Sequence, residues 1–174
     1  MRPTVLIPAV SIARRVRHLG AGLAGELAGR NAVILGLLDG ACCFTADLVR
    51  AIPLPDLELR FLRAASYAGK ESTGRVDLGH LPDLSGRSVV VVDDILDTGR
   101  TLAAVVTAVR AAGAASVGTC VLLDKPARRD PAGLPRADRV GFTIPDRFVV
   151  GYGLDHDGRW RQLPDVCVIE ERPV

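Results

Sequence analysis

The segment Val89-Val90-Val91-Val92-Asp93-Asp94-Ile95-Leu96-Asp97-Thr98-Gly99-Arg100-Thr101-Leu102 restricts the fold more than any other stretch of the 174-residue chain. Four consecutive valines predict a strand buried on both faces, as in a parallel sheet covered by helices. Two acids close the strand, a turn of Asp97, Thr98 and Gly99 follows, and a helix is expected to open at Thr101. Strand, turn and helix N-terminus bring backbone N–H groups and small hydroxyls to one point, which suits a phosphate. Carboxylates at the strand end stand where sugar hydroxyls or a metal can be bound, so the pattern points to a phosphorylated sugar. Merely solvating a turn and capping a helix would need fewer acids than Asp93, Asp94 and Asp97.

Periodicity organises the rest. Ile12, Val16, Leu19, Leu23 and Leu27 recur at three- and four-residue steps and predict an amphipathic helix over about 11–29, with Ser11 as its N-cap. The apolar run Ala32–Leu38 predicts a buried strand ending at Asp39-Gly40. Residues 42–52 read as a helix stopped by Pro53 and Pro55. Over 57–62, Leu57, Leu59 and Phe61 alternate with Glu58, Arg60 and Leu62, as in a partly exposed strand. Residues 66–75 are polar, glycine-bearing and aperiodic, a candidate lid. Leu102, Val105, Val106 and Val109 form the stripe of the next helix, which Gly113 ends, and 116–123 is another strand. The tail from Lys125 is dense in Pro, Gly and Arg, with short strands over about 139–144 and 148–151. Strands alternating with helices mean one α/β domain over 1–174 with a mainly parallel sheet flanked by helices. Its core is expected over about 30–125, and the N-terminal segment with about 126–174 would form a small hood.

Composition excludes several classes. The 22 basic and 20 acidic residues are interspersed and leave a formal charge of +2, so no nucleic-acid surface is indicated. Cys42, Cys43, Cys120 and Cys167 contain no C-x-x-C spacing and read as reduced, mostly buried thiols. The first ten residues do not resemble a signal peptide, and no segment approaches the ~18 apolar residues of a membrane span. A cytoplasmic protein without membrane association is the expectation.

The Val89–Leu102 motif resembles the signature of the phosphoribosyltransferases, which bind 5-phosphoribosyl 1-pyrophosphate (PRPP) through two acids, two apolar residues and an acid-Thr-Gly-x-Thr loop. Two further segments, Leu122 to Pro126 and Val140 to Asp155, look like the purine-binding half of hypoxanthine-guanine phosphoribosyltransferases. Ser66-Tyr67 followed by Ser72-Thr73-Gly74 is similar to that family's mobile loop.

The resemblance implies the type I phosphoribosyltransferase fold, Mg²⁺, and transfer of a phosphoribosyl group to hypoxanthine or guanine, giving IMP or GMP and pyrophosphate. It implies that Asp93 and Asp94 bind the ribose hydroxyls directly or through metal, and that Asp97 is the general base. Thr98, Gly99, Arg100 and Thr101 would hold the 5′-phosphate. Leu38, Asp39 and Gly40, with Arg161, would approach pyrophosphate. Lys125 would select the 6-oxo group as a cation facing an acceptor, Phe148 would stack on the base, and backbone at Val149 would read its edge. Asp155 would approach the Mg²⁺ or the 2-amino side of guanine. Ser66 and Tyr67 would close over the site. Family members are homodimers or homotetramers.

Two departures stand out. Asp39 occupies a position where relatives commonly carry Lys or Arg, in a loop that in the family often has an unusual cis peptide between the positions of Leu38 and Asp39. An acid there should repel a polyanion unless it turns away, pairs with an arginine or helps hold metal. His156-Asp157 replaces the aromatic-polar pair common after the matching Asp155, which bears on the choice among hypoxanthine, guanine and xanthine. Two alternatives remain at this stage: an RNA-binding regulator on the same fold, and a phosphoribosyltransferase with another acceptor.

Overall fold

Strand β1 (Thr4–Ile7) leads into helix α1 (Ala9–Leu27), strand β2 (Ala32–Leu38), helix α2 (Cys42–Arg50) and strand β3 (Glu58–Arg63). The short strands β4 (Ala65–Ser66) and β5 (Val76–Asp77) precede the central strand β6 (Ser88–Leu96) and helix α3 (Arg100–Ala111). Then come β7 (Ser116–Asp124), β8 (Arg139–Thr143), β9 (Val149–Val150) and β10 (Val166–Val168). These elements come from a computed structural model that describes residues 2–66 and 76–169.

The main sheet has the order β3-β2-β6-β7-β8 and is parallel throughout. Both faces are covered, which is why its strands are continuous apolar runs rather than alternating ones. On one face Ile34, Val90 and Val92 pack with Ile12, Val16, Leu19 and Leu23 of α1 and Phe44 and Leu48 of α2. On the other, Val33, Leu35, Val89 and Val91 pack with Leu102, Val105 and Val109 of α3. Gly36 lets α2 approach, since a Cβ there would stand 2.7 Å from the Thr45 side chain.

From β2 the chain moves one way to β3 and the other way to β6. Strand order therefore reverses at the β2–β6 pair, and the crevice beyond the carboxyl ends of those strands is where open α/β sheets bind ligands. A second, antiparallel sheet of order β1-β10-β9 joins the chain's two ends beside this crevice.

Three expectations need correction. Helix α1 begins at Ala9, so Ser11 lies inside it and no side chain of its own segment caps it. Instead the Ala9 N–H donates to Asp165 Oδ1 at 2.7 Å, a cap supplied from the far end of the chain. In β3 the buried residue is Leu62, which packs with Leu35, Leu37 and Leu84 on the face that α3 covers, while Leu57 and Leu59 pack partly buried against the opposite cluster and Phe61 is exposed. Strand β8 pairs with β7 in the main sheet, although it lies beyond residue 125.

Candidate active site

Most segments of the crevice leave the carboxyl end of a main-sheet strand, and Asp155 and Arg161 come from the loop between β9 and β10. Residues 38–40 follow β2, Ala64 follows β3, Asp97 to Gly99 follow β6, Lys125 follows β7, and 144–148 follow β8. Two cavities result. One, of about 540 Å³, is lined by Leu38, Asp39, Gly40, Asp93, Asp94, Thr98, Gly99, Thr101 and Arg161 among others. The second, of about 420 Å³, is lined by Lys125, Arg128, Asp146, Phe148, Val149 and Leu154. Asp94, Ile95, Asp97 and Asp155 line both and form the wall between them.

In the first cavity, the phosphate loop ends on Gly99, whose φ of 81° starts α3 from a left-handed conformation. A Cβ at Gly99 would run into the backbone of Leu134, so the position accepts only glycine. The first turn of α3 contains no acid, which leaves its amide end electropositive. Asp93 and Asp94 project from the end of β6, with the Asp94 N–H donating to Asp93 Oδ1 at 3.0 Å. Burial, followed by repulsion from Asp94, holds the Asp93 carboxyl well above the usual carboxylate range. Burial raises Asp94 as well. Two acids that are costly to ionise together are a place for a cation or for sugar hydroxyls.

Arg129 fixes the loop from behind. It donates to the carbonyls of Leu96 at 3.0 Å, of Asp97, and of Pro135 at 3.1 Å, and pairs with Asp124. Asp97 Oδ1 is buried without a hydrogen-bond partner, with Arg128 Nε 3.4 Å away. Asp97 itself is part of the wall that both cavities share.

In the second cavity, Lys125 is only 8% exposed and its nearest acid is Asp146 at 4.0 Å. A buried ammonium at that distance from its counter-ion has donors left for a ligand acceptor. Phe148 is 50% exposed at the start of the antiparallel sheet and presents a ring to the cavity. His156 packs edge-on against it at 5.1 Å and stacks on Trp160 at 6.0 Å.

Residues 8–157 match the phosphoribosyl transferase domain. The chain is 41% identical over 168 residues to the hypoxanthine phosphoribosyltransferase of Salmonella typhimurium, covering 93% of this chain and 92% of that one. It superposes on a hypoxanthine phosphoribosyltransferase from Staphylococcus aureus with a TM-score of 0.88 and 35% identity, over 95% of this chain and 90% of that chain. The chain belongs to the hypoxanthine phosphoribosyltransferase family. It is also 41% identical over 171 residues to the bifunctional protein TilS/HprT of Listeria innocua, of which it spans 26%.

Asp39 pairs with an arginine: Arg63 Nη2 lies 2.8 Å from Asp39 Oδ1. The Leu38–Asp39 peptide is cis. Arg161 reaches the first cavity but is held by the Gly153 carbonyl at 2.7 Å and Asp155 at 2.8 Å. Asp155 also accepts the Gly158 N–H at 2.7 Å. Asp155 sits in a loop where Tyr152, Asp157 and Trp160 all have positive φ, the kind of backbone strain that gathers at ligand sites. Among the described residues no three acidic, histidine or cysteine side chains converge as a metal cage.

Ser66 closes β4 on β5, with its partner Val76 in register, while Tyr67 and the segment 72–74 lie outside the described residues. Arg129 and Asp124, which brace the loop behind Asp97, and the pairing of Arg63 with Asp39 are not foreseen in the sequence. The paired arginines 128–129 just after Lys125 were the available signal for two of the groups behind Asp97. No helix among the described residues is long and apolar enough to cross a membrane.

Proposed function

We propose that this chain transfers the 5-phosphoribosyl group of PRPP to hypoxanthine or guanine, releasing pyrophosphate and giving IMP or GMP, with xanthine as a further acceptor. The observation that carries the reading is the wall of Asp94, Ile95, Asp97 and Asp155 between a phosphate-binding cavity and a cavity with a buried lysine and an open aromatic ring. Two substrates held on either side of such a wall react at it.

The bond from C1 of the sugar to pyrophosphate breaks as a purine ring nitrogen bonds to C1, and the proton on N7 passes to Asp97. The loop of Thr98, Gly99, Arg100 and Thr101 anchors the 5′-phosphate, and Asp93 and Asp94 hold the ribose hydroxyls. Arg161 and the backbone of 38–40 face the leaving diphosphate. Lys125 donates to the 6-oxo group, Phe148 stacks on the ring, and Val149 reads its edge. Ser66 and Tyr67 belong to the segment that closes over the sugar and keeps water out.

A hard cation fits this donor set: a half-buried diacid whose charge is unbalanced, with the remaining ligands supplied by substrate and water. Mg²⁺ held by Asp93, Asp94 or Asp155 would neutralise the diphosphate and make it a better leaving group. The solution species is expected to be a homodimer or homotetramer in the cytoplasm.

Steady-state assays with PRPP, Mg²⁺ and hypoxanthine, guanine, xanthine or adenine test the reading. Nucleotide should form with the 6-oxopurines, and adenine should be about 100-fold poorer in kcat/KM, since it leaves Lys125 without an acceptor. Equal use of adenine, or no nucleotide from any purine, would overturn it.

A further inference from the structure

The first cavity has an unusual charge balance for a pocket meant for a polyanion. Among the described residues, Asp39, Asp93, Asp94, Asp97 and Asp155 line it, against one basic side chain, Arg161. That arginine is committed twice, to Asp155 and to the Gly153 carbonyl. Asp39 adds one negative charge in the loop that faces the diphosphate.

Arg63 answers this deficit from the neighbouring strand. It is the last residue of β3, in register with Leu38 of β2, and the next residue, Ala64, lines the cavity. Among the described residues its polar partner is Asp39 alone, through one Nη2 contact of 2.8 Å. The two side chains are 72% and 49% exposed, so the pair is hydrated and easily exchanged. A diphosphate offers a guanidinium several charged oxygens in a bidentate geometry, which outcompetes a single carboxylate oxygen in water.

We propose that Arg63 is a pyrophosphate-binding residue of this chain, parked on Asp39 in the free protein and transferred to the diphosphate of PRPP when it enters. The proposal rests on the phosphoribosyltransferase reading of the cavity. It makes Asp39 a holder for the guanidinium rather than a contact of its own, with the positive charge expected at position 39 supplied from β3.

The rival explanation is that Arg63 only neutralises Asp39. Calorimetric titration of inorganic pyrophosphate with Mg²⁺ into the full chain separates the two, using the wild type, Arg63→Ala, Asp39→Asn and the double variant. Direct contact predicts about tenfold weaker pyrophosphate binding for Arg63→Ala, the size of one charge-assisted contact at a wet surface, and the same weakness in the double variant. Asp39→Asn should bind as tightly as the wild type or tighter. KM for PRPP should rise with Arg63→Ala while KM for the purine holds, and Arg63→Lys should be intermediate.

Recovery of wild-type affinity in the double variant, or undiminished binding in Arg63→Ala, would overturn the proposal alone. A wild type that neither binds pyrophosphate nor turns over PRPP would overturn the parent reading and this proposal with it.

Discussion

The carboxylate of Asp94 fills the space where a side chain on Gly40 would begin: a Cβ built there runs into Asp94 Oδ2. Gly40 lies in the loop after β2 and Asp94 near the end of β6, so the contact joins the two strand ends at the point where strand order reverses. Gly40→Ala must displace either the diacid or the 38–40 backbone. We expect a rise in KM for PRPP of about tenfold or more, with a smaller change in KM for the purine. Equal effects on both substrates would show that the contact serves the fold rather than the sugar site.

Asp93→Asn should stabilise the ligand-free protein while lowering its activity. The folded state raises the pKa of Asp93 above its ordinary 3.8, so the native form holds this proton to higher pH than the unfolded chain. Its contribution to stability is therefore lost as pH rises from about 4 through the folded value, and at neutral pH ionisation is a cost. Removing the acid removes that cost, and each kcal/mol recovered shifts Tm by roughly 2–4 °C in a chain of this size. Melts from pH 4 to 8 should show the two proteins diverging as pH rises; parallel curves would contradict the argument.

Asp97→Asn keeps the shape of the shared wall but removes the proton acceptor. We expect kcat to fall about 10²–10⁴-fold, the usual contribution of a positioned base, with PRPP affinity changed only a few-fold. Single-turnover kinetics and PRPP titration check both halves, and an unchanged kcat would remove Asp97 from proton transfer.

Lys125→Ala should erode the preference for 6-oxopurines. The side chain is buried beside the base cavity, so its loss leaves the 6-oxo group unpaired and no longer penalises the amino group of adenine. The ratio of kcat/KM for hypoxanthine to that for adenine is the readout; an intact ratio would place the selection elsewhere.

Arg129→Met tests the brace behind the phosphate loop. It removes the bonds to the Leu96, Asp97 and Pro135 carbonyls and strands the half-buried Asp124 carboxylate. Breaking such a pair by removing one partner costs about 3–5 kcal/mol, so Tm should drop by roughly 6–20 °C. Denaturant unfolding measures it, and a loss under about 1 kcal/mol would show that the loop holds itself.

What the sequence by itself determined was local or periodic. The bounds of β2 and the buried stripe of α3 were readable because burial on both faces demands continuous apolar strands and helix packing demands a 3.6-residue period. The phosphate loop was readable for a related reason: strand, turn, Gly99 and helix start are contiguous, and their geometry follows from short-range backbone sterics. The tertiary structure alone decided which distant groups meet. Asp165 caps α1 in place of Ser11, Leu62 rather than Phe61 turns inward, and Arg129 grips the carbonyls of Leu96, Asp97 and Pro135. Arg63 reaches Asp39 because parallel pairing sets the ends of β2 and β3 side by side. Such contacts depend on strand order and register, which no local interaction encodes; they form only once the whole sheet is assembled and each charged side chain must find the partner left near it.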